Sequence, residues 1–496
     1  MSILDTLLSR IGYSPTPPKR AQRDFTAASQ NRLFNDWIIN GASRNEKIRR
    51  GLVTMRARSR DLCENDDYAR KFVGLCKTNI SGPFGVKNVM DIVDPNGKPD
   101  TVANKIVQDA WLTWCKKENC TVTGQLSMAD VQHVIIETLP QDGEFLVRKV
   151  RGFDNPFRFA LQLLPVDCLN EELNKDLPNG NKIRMGVERD VWKRPVAYHI
   201  RTEDTSDIFY SLQADTKNER LPASDVIHGF IPTSINQLRG IPWFHTAAPG
   251  MHMLGGYEEA AVVAARSGAA NMGFLEKTPD ANGSYVADDE DESGNKINDF
   301  SPGTIEALPA GYKFSASDFD YPHAQFPSFC KHVLRRISAG LQVSYNSLSG
   351  DLESVNYSSI RAGLLEERDV WILLQNWFIG HFLADVFKDW LTMSIATRQV
   401  ALPQAKFEKF NRPCFVGRRW PWVDPMKDIM AKKEAIAAGL DTRTDTIAEM
   451  GGDRREVDRT LKEENDEAAK AGLKFDVATD PSLLIEDPNP PAPGEA

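Results

Sequence analysis

The side chains best suited to covalent or metal chemistry in this chain are seven cysteines and eight histidines, and their spacing forms no recognisable site. There is no Cys-x-x-Cys pair, and Cys115 and Cys120 lack the second ligand pair of a structural zinc site. HExxH, GxSxG and GxxxxGK[ST] motifs are absent, and GxGxxG follows no predicted strand. We therefore predict no catalytic residue, metal or cofactor, although a Ser-His-Asp triad assembled in space stays open.

Two basic clusters have the chemistry to contact a polyanion. The first lies within 43–80 and is open to three interpretations: a solvated face, a subunit interface or a phosphate-facing surface. Its members are Lys47, Arg49, Arg50, Arg56, Arg58 and Arg60. The second cluster, Lys331, Arg335 and Arg336, lies off the apolar stripe of a predicted helix. These side chains could line a channel or form salt bridges between helices.

The charge of the whole chain argues against a generic nucleic-acid binder. The net charge is −9 over 496 residues. Residues 1–90 carry sixteen Lys and Arg against eight Asp and Glu, whereas residues 421–496 carry ten against eighteen. A basic beginning and an acidic end predict that the two ends meet different environments.

Two polar segments are candidate contact elements. Residues 341–361 separate two strongly apolar helical patterns and contain no catalytic set. The run Asp288–Glu292 lacks the spaced oxygen ligands and central glycine of a calcium loop, so it is predicted to be a solvated loop.

The elements that position these groups follow from hydrophobic periodicity. Ser43 and Glu46 have the spacing of a capping box that begins a helix over 43–80. Helices at 100–120 and 127–139 are followed by short strands bounded by turn residues. This order predicts an α+β fold with a largely antiparallel sheet. The predicted strands are Glu144–Val150, Phe159–Leu164, Val191–Ile200 and Val226–Ile231.

The second half is predicted to be mainly helical around a small insert. An alanine-rich helix spans 243–273, and strand-like pieces occur at Thr304–Leu308 and Tyr312–Phe314. The stretch Val370–Phe387 is interrupted by polar residues, which favours a buried helix over a membrane span. The amino-terminal sequence is not typical of a signal peptide.

Short motifs in a fixed order resemble the lambda-like family of tailed-bacteriophage portal proteins. The resemblance covers about residues 45–470, and the match around 348–361 is the most specific. The motifs are Arg56–Leu62 with Asn65, Asn79–Gly82, Asp142–Phe145, Arg239–Pro242, Ser301–Gly311, Leu348–Asp351 and Asn356–Arg361.

The resemblance implies a portal-type α+β fold in a ring, typically of twelve subunits, with double-stranded DNA in its channel. The implied parts are a mobile arm at 1–30, a wing at 31–240 and a first stem helix at 241–273. A clip at 274–322, a second stem helix at 323–341 and a tunnel loop at 342–358 follow. The long kinked wing helix and its return occupy 359–423, the helical crown 424–476 and a disordered tail 477–496.

The resemblance also assigns site residues and partners. The tunnel loop would contact DNA without sequence specificity through Asn346, Ser347, Ser349, Asp351, Glu353 and Ser354. Its base would be Asn356, Tyr357 and Arg361, and the clip would dock partners through Asp288, Asp289, Glu290, Asp291 and Glu292. Implied partners are further copies of the chain, major capsid and scaffold proteins, the terminase large subunit and head-tail connector proteins. No membrane is implied.

The implied location is a capsid vertex of the virion, after assembly in the host cytoplasm. Two alternatives stay open on the residues themselves. The first is another ring-forming virion component of the tail or baseplate. The second is a hydrolase whose site assembles in space.

Overall fold

The computed structural model describes residues 41–201, 218–269, 325–353, 357–420, 425–450, 452 and 454–472, and four short strands between 273 and 316. The fold is α+β, as predicted. The helices are α1 Arg44–Asn65, α2 Asp67–Cys76, α3 Thr101–Trp114, α4 Lys117–Cys120, α5 Met128–Asp142, α6 Ala248–Ala269, α7 Phe326–Gly340, α8 Tyr345–Ser349, α9 Tyr357–Phe378, α10 Ala384–Ala396, α11 Phe407–Phe410, α12 Pro425–Ala437, α13 Arg443–Glu449 and α14 Arg454–Ala471.

The described strands pair antiparallel throughout, apart from one isolated parallel bridge, which confirms the predicted sheet type. A three-stranded sheet has the order β3-β2-β9, and a five-stranded sheet has the order β4-β5-β6-β7-β8. The strands are β1 Lys87–Met90, β2 Glu144–Arg151, β3 Phe159–Leu164, β4 Lys175–Asp176, β5 Lys182–Arg184, β6 Val187–Arg189, β7 Pro195–Arg201, β8 Asn218–Pro222, β9 Val226–Phe230, β10 Gly273–Lys277, β11 Asp289–Glu290, β12 Lys296–Ile297, β13 Tyr312–Ala316 and β14 Pro413–Val416.

The helix predicted over 43–80 is two helices and a π-helical turn, Lys77–Ser81. The Ser43 hydroxyl accepts a hydrogen bond from Glu46 N at 3.3 Å, so this residue caps α1 as predicted. Asp66 then adopts extended backbone angles, and its carboxylate accepts from Ala69 N at 2.8 Å. An aspartate in this position begins a new helix because it satisfies an amide without an intrahelical partner.

The strand predicted at Val191–Ile200 begins only at Pro195. Residues before it form a tight turn between β6 and β7, in which the Asp190 carboxylate accepts from Trp192 N at 2.8 Å and from Arg194 N at 2.9 Å. Aspartate stabilises turns by accepting hydrogen bonds from nearby backbone amides. Because β-branched residues such as Val191 favour strands, the sequence pattern placed the start of the strand too early.

Aromatic side chains fill the main core. The Trp111 ring lies 4.9 Å from Trp390 and 5.3 Å from Phe387, measured between centroids. Trp114 is fully buried, and its indole Nε1 donates to Phe159 O at 3.0 Å. Each such ring buries about 150–250 Å². These contacts pack α3 and β3 against α10.

The long helix is continuous from α9 to α10 through a π-helical turn, Ile379–Leu383. Among the described helices, Gly363–Ala396 has the length and apolar composition to cross a membrane, a test that core helices also pass. Trp371, Phe378, Phe382 and Trp390 are buried within the chain, which agrees with the predicted buried helix.

The predicted insert between α6 and α7 is described only in part. β10 pairs with β13, which contains the predicted strand Tyr312–Phe314, and β11 pairs with β12. The predicted strand Thr304–Leu308 lies outside the described residues, as do 1–30 and 477–496. Asp288, Asp291 and Glu292 also lie outside them. Asp289 and Glu290 form β11, and their side chains are not described.

Candidate functional site

Glu144, the first residue of β2, accepts bonds from three separate segments of the chain. Arg239 Nη2 lies 2.6 Å from its Oε1, and Gly240 N donates to Oε2 at 2.6 Å. His228 Nε2 lies 3.0 Å from Oε2, and Arg56 Nη2 lies 2.5 Å from Oε1. Helix α1, strand β9 and the segment before α6 therefore meet at one carboxylate.

The two motifs that meet at Glu144 cross with their backbones in direct contact. A Cβ built on Gly240 would lie 2.0 Å from Gly143 O, and one built on Gly143 would lie 2.2 Å from the carbonyl carbon of Ile241. Gly143 also has φ +84°, which favours glycine. The sequences Asp142–Phe145 and Arg239–Pro242 thus form one structural unit, which their separation along the chain concealed.

The electrostatics of this cluster are those of a structural anchor. Burial acts to raise the pKa of Glu144, but Arg239, Arg56 and His228 outweigh it and hold that pKa well below 4.5. Both oxygens already accept several bonds. A buried carboxylate needs such partners to remain ionised. This arrangement holds three segments in register.

Two members of the first basic cluster form ion pairs within the chain, a role outside the three interpretations given from the sequence. Arg56 is only 3% exposed and pairs with Glu144 inside the protein. Arg60 binds Asp142 and Asp167, each at 2.7 Å. Arg56 is internal, so all three surface interpretations are wrong for it, whereas the Arg60 side chain is 32% exposed and keeps them. The remaining members are exposed and keep those interpretations: Lys47, Arg49, Arg50 and Arg58.

Asn79, from the motif Asn79–Gly82, joins the long helix to the segment after β14. Gln375 Nε2 donates to Asn79 O at 2.7 Å, and Trp420 Nε1 donates to Asn79 Oδ1 at 2.8 Å. Arg418 also reaches Oδ1, at 3.2 Å. The asparagine accepts through both backbone and side chain, which gives the motif a packing role.

The polar segment at 342–358 was predicted to be a loop, but part of it is helix α8. Ser344 caps this helix by accepting from Ser347 N at 3.2 Å. Gly350 ends it with φ +72°. Leu348, within this helix, is buried. Ser and Gly, which suggested a loop, are the residues that cap a short helix.

Glu367 of α9 holds α8 in place, a role that no sequence motif pointed to directly. This buried carboxylate accepts from Ser344 N at 3.0 Å, from the Ser347 hydroxyl at 2.8 Å and from Trp371 Nε1 at 3.1 Å. The sequence signal that could have indicated this role is an acidic residue, Glu367, one helical turn before Trp371 in an apolar pattern. Such a residue needs a polar partner when buried.

Two of the three basic candidates on α7 contact this same segment. Lys331 Nζ lies 2.9 Å from the Asp351 carboxylate and 3.5 Å from Glu353. Arg335 stacks over the Tyr345 ring at 5.5 Å, and the Tyr345 hydroxyl donates to Asp351 at 2.9 Å. The Lys331 ammonium, the Glu353 amide and the Tyr345 hydroxyl together lower the pKa of Asp351 to about 2. Lys331 therefore pairs with the segment that follows α7, which neither of its two interpretations anticipated.

The other predicted site residues are dispersed. Arg336 is exposed, and its Nη2 lies near Gly250 of α6. Asn346 is half-buried, and the Ser349 hydroxyl donates to Tyr345 O at 2.8 Å. Arg361 donates to Asp428 at 3.0 Å, so it joins α9 to α12. Ser354 and Asn356 lie outside the described residues, and the Tyr357 side chain is not described.

The described part of the chain contains no group of three His, Cys, Asp or Glu side chains placed to hold a metal ion. Its cysteines are present as thiols. Burial raises the pKa of Cys63, with Asp142 adding to the effect, to about 12. Such a thiol is a poor nucleophile near neutral pH.

Comparison with known proteins identifies clear relatives. Residues 30–375 match the family described as phage portal protein, lambda family. The chain is 33% identical to a probable portal protein of Halomonas phage phiHAP-1, over 91% of this chain and 88% of that protein. It is 22% identical to portal protein B of Escherichia phage lambda, over 84% of each chain. A chain from the neck of a native gene transfer agent particle, computed with C12 symmetry, is 12% identical with a TM-score of 0.42, over 81% of this chain and 94% of that chain.

Proposed function

The chain belongs to the lambda family of phage portal proteins, and on this premise we propose that about twelve copies form a ring whose channel passes double-stranded DNA. The ring would stand at one capsid vertex during packaging and ejection. The observation that supports this proposal is the family match, which extends over most of the wing and stem expected from the sequence. Family membership favours this function over a tail or baseplate ring and over a hydrolase.

We place the DNA contact at the 342–358 segment and the exposed face of α7 that carries it. Each Lys or Arg that neutralises a phosphate adds counterion-release affinity, and a ring multiplies that contact by the number of subunits. Here Lys331 already pairs with Asp351 and Glu353, and Arg335 stacks on Tyr345. A channel lined by neutralised cations would let the duplex slide without holding it.

The remaining parts follow from the same premise. The insert at 274–322 would be the docking face for the terminase large subunit and later for head-tail connector proteins. The wing would meet capsid and scaffold proteins, and the helices from Pro425 onward would form the crown. The protein would assemble in the host cytoplasm and remain in the virion. The ATP-driven step would belong to the terminase, because this chain has no phosphate-binding loop motif.

Electron microscopy of the purified protein tests the ring. We expect closed rings with a central hole, and a stable monomer at all concentrations would contradict the proposal.

The DNA contact is tested by Asn346→Lys, which adds one positive charge per subunit on α8. We expect intact rings, reduced packaging and stronger, more salt-dependent retention of DNA. Thr113→Lys, on the exposed side of α3, adds the same charge elsewhere and serves as the control. Equal packaging by the Asn346→Lys variant and the wild type would contradict the proposal that the 342–358 segment contacts DNA in the channel.

A further inference from the structure

The turn between β6 and β7 presents two large apolar side chains to solvent. Val191 is 75% exposed and Trp192 is 87% exposed. The turn itself is well ordered by hydrogen bonds, since Asp190 accepts from the amides of Trp192 and Arg194. Tryptophan held rigidly at a protruding position loses little conformational freedom on binding, and tryptophan is enriched among the residues that dominate interface energies.

Positive charge surrounds this turn. Among the described residues, four cations at or beside it form no ion pair: Lys182, Arg189, Lys193 and Arg194. Burial, and secondarily the neighbouring Arg184, lower the pKa of Arg189. The turn therefore offers an apolar tip within a basic rim.

The outer face of α9 has the opposite character. Leu365 is 46% exposed and Leu373 is 63% exposed, and they lie two helical turns apart. Glu366 and Asp369 are exposed on the same face and form no ion pair with any described residue. This face is apolar and acidic, although it belongs to a helix whose other side lies in the core.

A groove continues from this face. It has a volume of about 460 Å³ and is lined by four apolar residues, Leu365, Ala431, Ala435 and Leu440, and by six charged residues, Arg361, Arg368, Asp428, Lys432, Asp441 and Glu449. That volume falls in the range of about 300–1,000 Å³ found for pockets that receive small molecules. Leu365 belongs both to this groove and to the exposed face of α9.

We propose that the Val191–Trp192 turn of one copy docks on the Leu365–Leu373 face of a second copy of this chain. The proposal rests on the ring function and names a contact that would hold neighbouring subunits together. The two patches are different, so the contact is heterologous, which is the type that closes into rings. Duplex DNA is a poorer partner for either surface. At the turn, inserting an apolar wedge would require base pairs to unstack. At the α9 face, the acidic side chains would repel phosphates.

Trp192→Ser tests the apolar part, with ring assembly measured by mass photometry across a concentration series. We expect the concentration for half-assembly to rise about 30-fold, as for loss of a dominant interface residue. Ile235→Ser removes an equally exposed apolar side chain outside both patches and should leave assembly unchanged. Wild-type assembly by Trp192→Ser would overturn the proposal. A lowered melting temperature with unchanged assembly would also overturn it, by showing that the turn packs within its own chain.

A charge exchange tests which surfaces meet. Arg194→Glu and Asp369→Arg should each weaken assembly, and the double variant should recover most of the loss. Lys98→Glu, at an exposed position outside both patches, controls for the change in net charge. Weakened single variants without recovery in the double variant would overturn this pairing of surfaces.

The outcomes separate this contact from the function on which it rests. If the wild type forms rings and all variants form them equally well, the contact is wrong and the ring function stands. If the wild type forms no rings, the ring function itself is wrong.

Discussion

Arg239 and Glu144 form a buried ion pair, with 2.6 Å between Nη2 and Oε1, across 95 residues of sequence. Both side chains are almost completely excluded from solvent. The pair fixes the backbone that leads into α6 against the first residue of β2. The first stem helix expected from the sequence is thereby tied to the sheet.

Replacing Glu144 should be strongly destabilising. Glu144→Gln keeps the size of the side chain but leaves Arg239 buried without a counter-charge and Arg56 with only Asp167, whose Oδ1 lies 3.9 Å from its Nη1. We expect the free energy of unfolding to fall by about 3–5 kcal/mol, measured by denaturant titration at fixed protein concentration. Glu219→Gln breaks an exposed pair with Arg148 and should cost about 1 kcal/mol or less. Equal losses in the two variants would show that burial does not strengthen the Glu144 cluster.

The same residue should make stability depend on acid pH. The folded state holds the pKa of Glu144 well below 4.5, so the stabilisation is fully present above the unfolded pKa and is lost as pH falls through the folded one. We expect the difference in melting temperature between the wild type and Glu144→Gln to be constant from pH 7 to pH 5. It should shrink progressively below about pH 4.5. A difference that stays constant at lower pH would contradict the assignment.

Alanine at Gly143 should destabilise the protein through a steric clash with the opposing backbone. Its Cβ would lie 2.2 Å from Ile241, which backbone packing cannot relieve. Gly97→Ala is a matched control, because Gly97 has a similar φ of +77° and a Cβ added there would meet nothing within 4 Å. We expect Gly143→Ala to lose about 1–3 kcal/mol more than the control in denaturant titrations. Similar losses would attribute the effect to backbone angle alone.

Removing the Lys331 ammonium should loosen the segment that follows α8. Lys331→Met leaves Asp351 and Glu353 without their cation, so the pKa of Asp351 should rise from about 2 towards 3.8. We expect faster amide hydrogen exchange across 345–353, measured by mass spectrometry, with little change elsewhere. Arg336→Met removes a nearby exposed cation and should leave this exchange unchanged. Faster exchange in both variants would indicate a general charge effect.

Local patterns predicted the elements better than the contacts. The bounds of β3 and the first residue of β2 follow from alternation and flanking turn residues, and both match the structure. The cap at Asp66 was missed because it interrupts a helical period that continues on both sides. The partners of Glu144 lie more than 80 residues away in both directions. No local pattern encodes such pairings, although both motifs were visible.

The candidate DNA-facing segment shows the same limit. The serines, the glycine and the two acidic residues, Asp351 and Glu353, correctly indicated a polar element between two helices. They did not reveal that Glu367 holds it from one side and Lys331 from the other. Both interactions depend on which faces of α7 and α9 turn towards each other, and tertiary packing decides this orientation.

The π-helical turn Ile379–Leu383 gives the long helix one place where it can lose a residue. A π turn completes about one rotation with one residue more than an α-helical turn. Deleting a single codon in this turn would therefore restore a regular helix and leave Phe387 and Trp390 facing Trp111. A one-codon deletion in the α-helical part between this turn and Phe387 would instead rotate both side chains by about 100°, so it should be tolerated far less well.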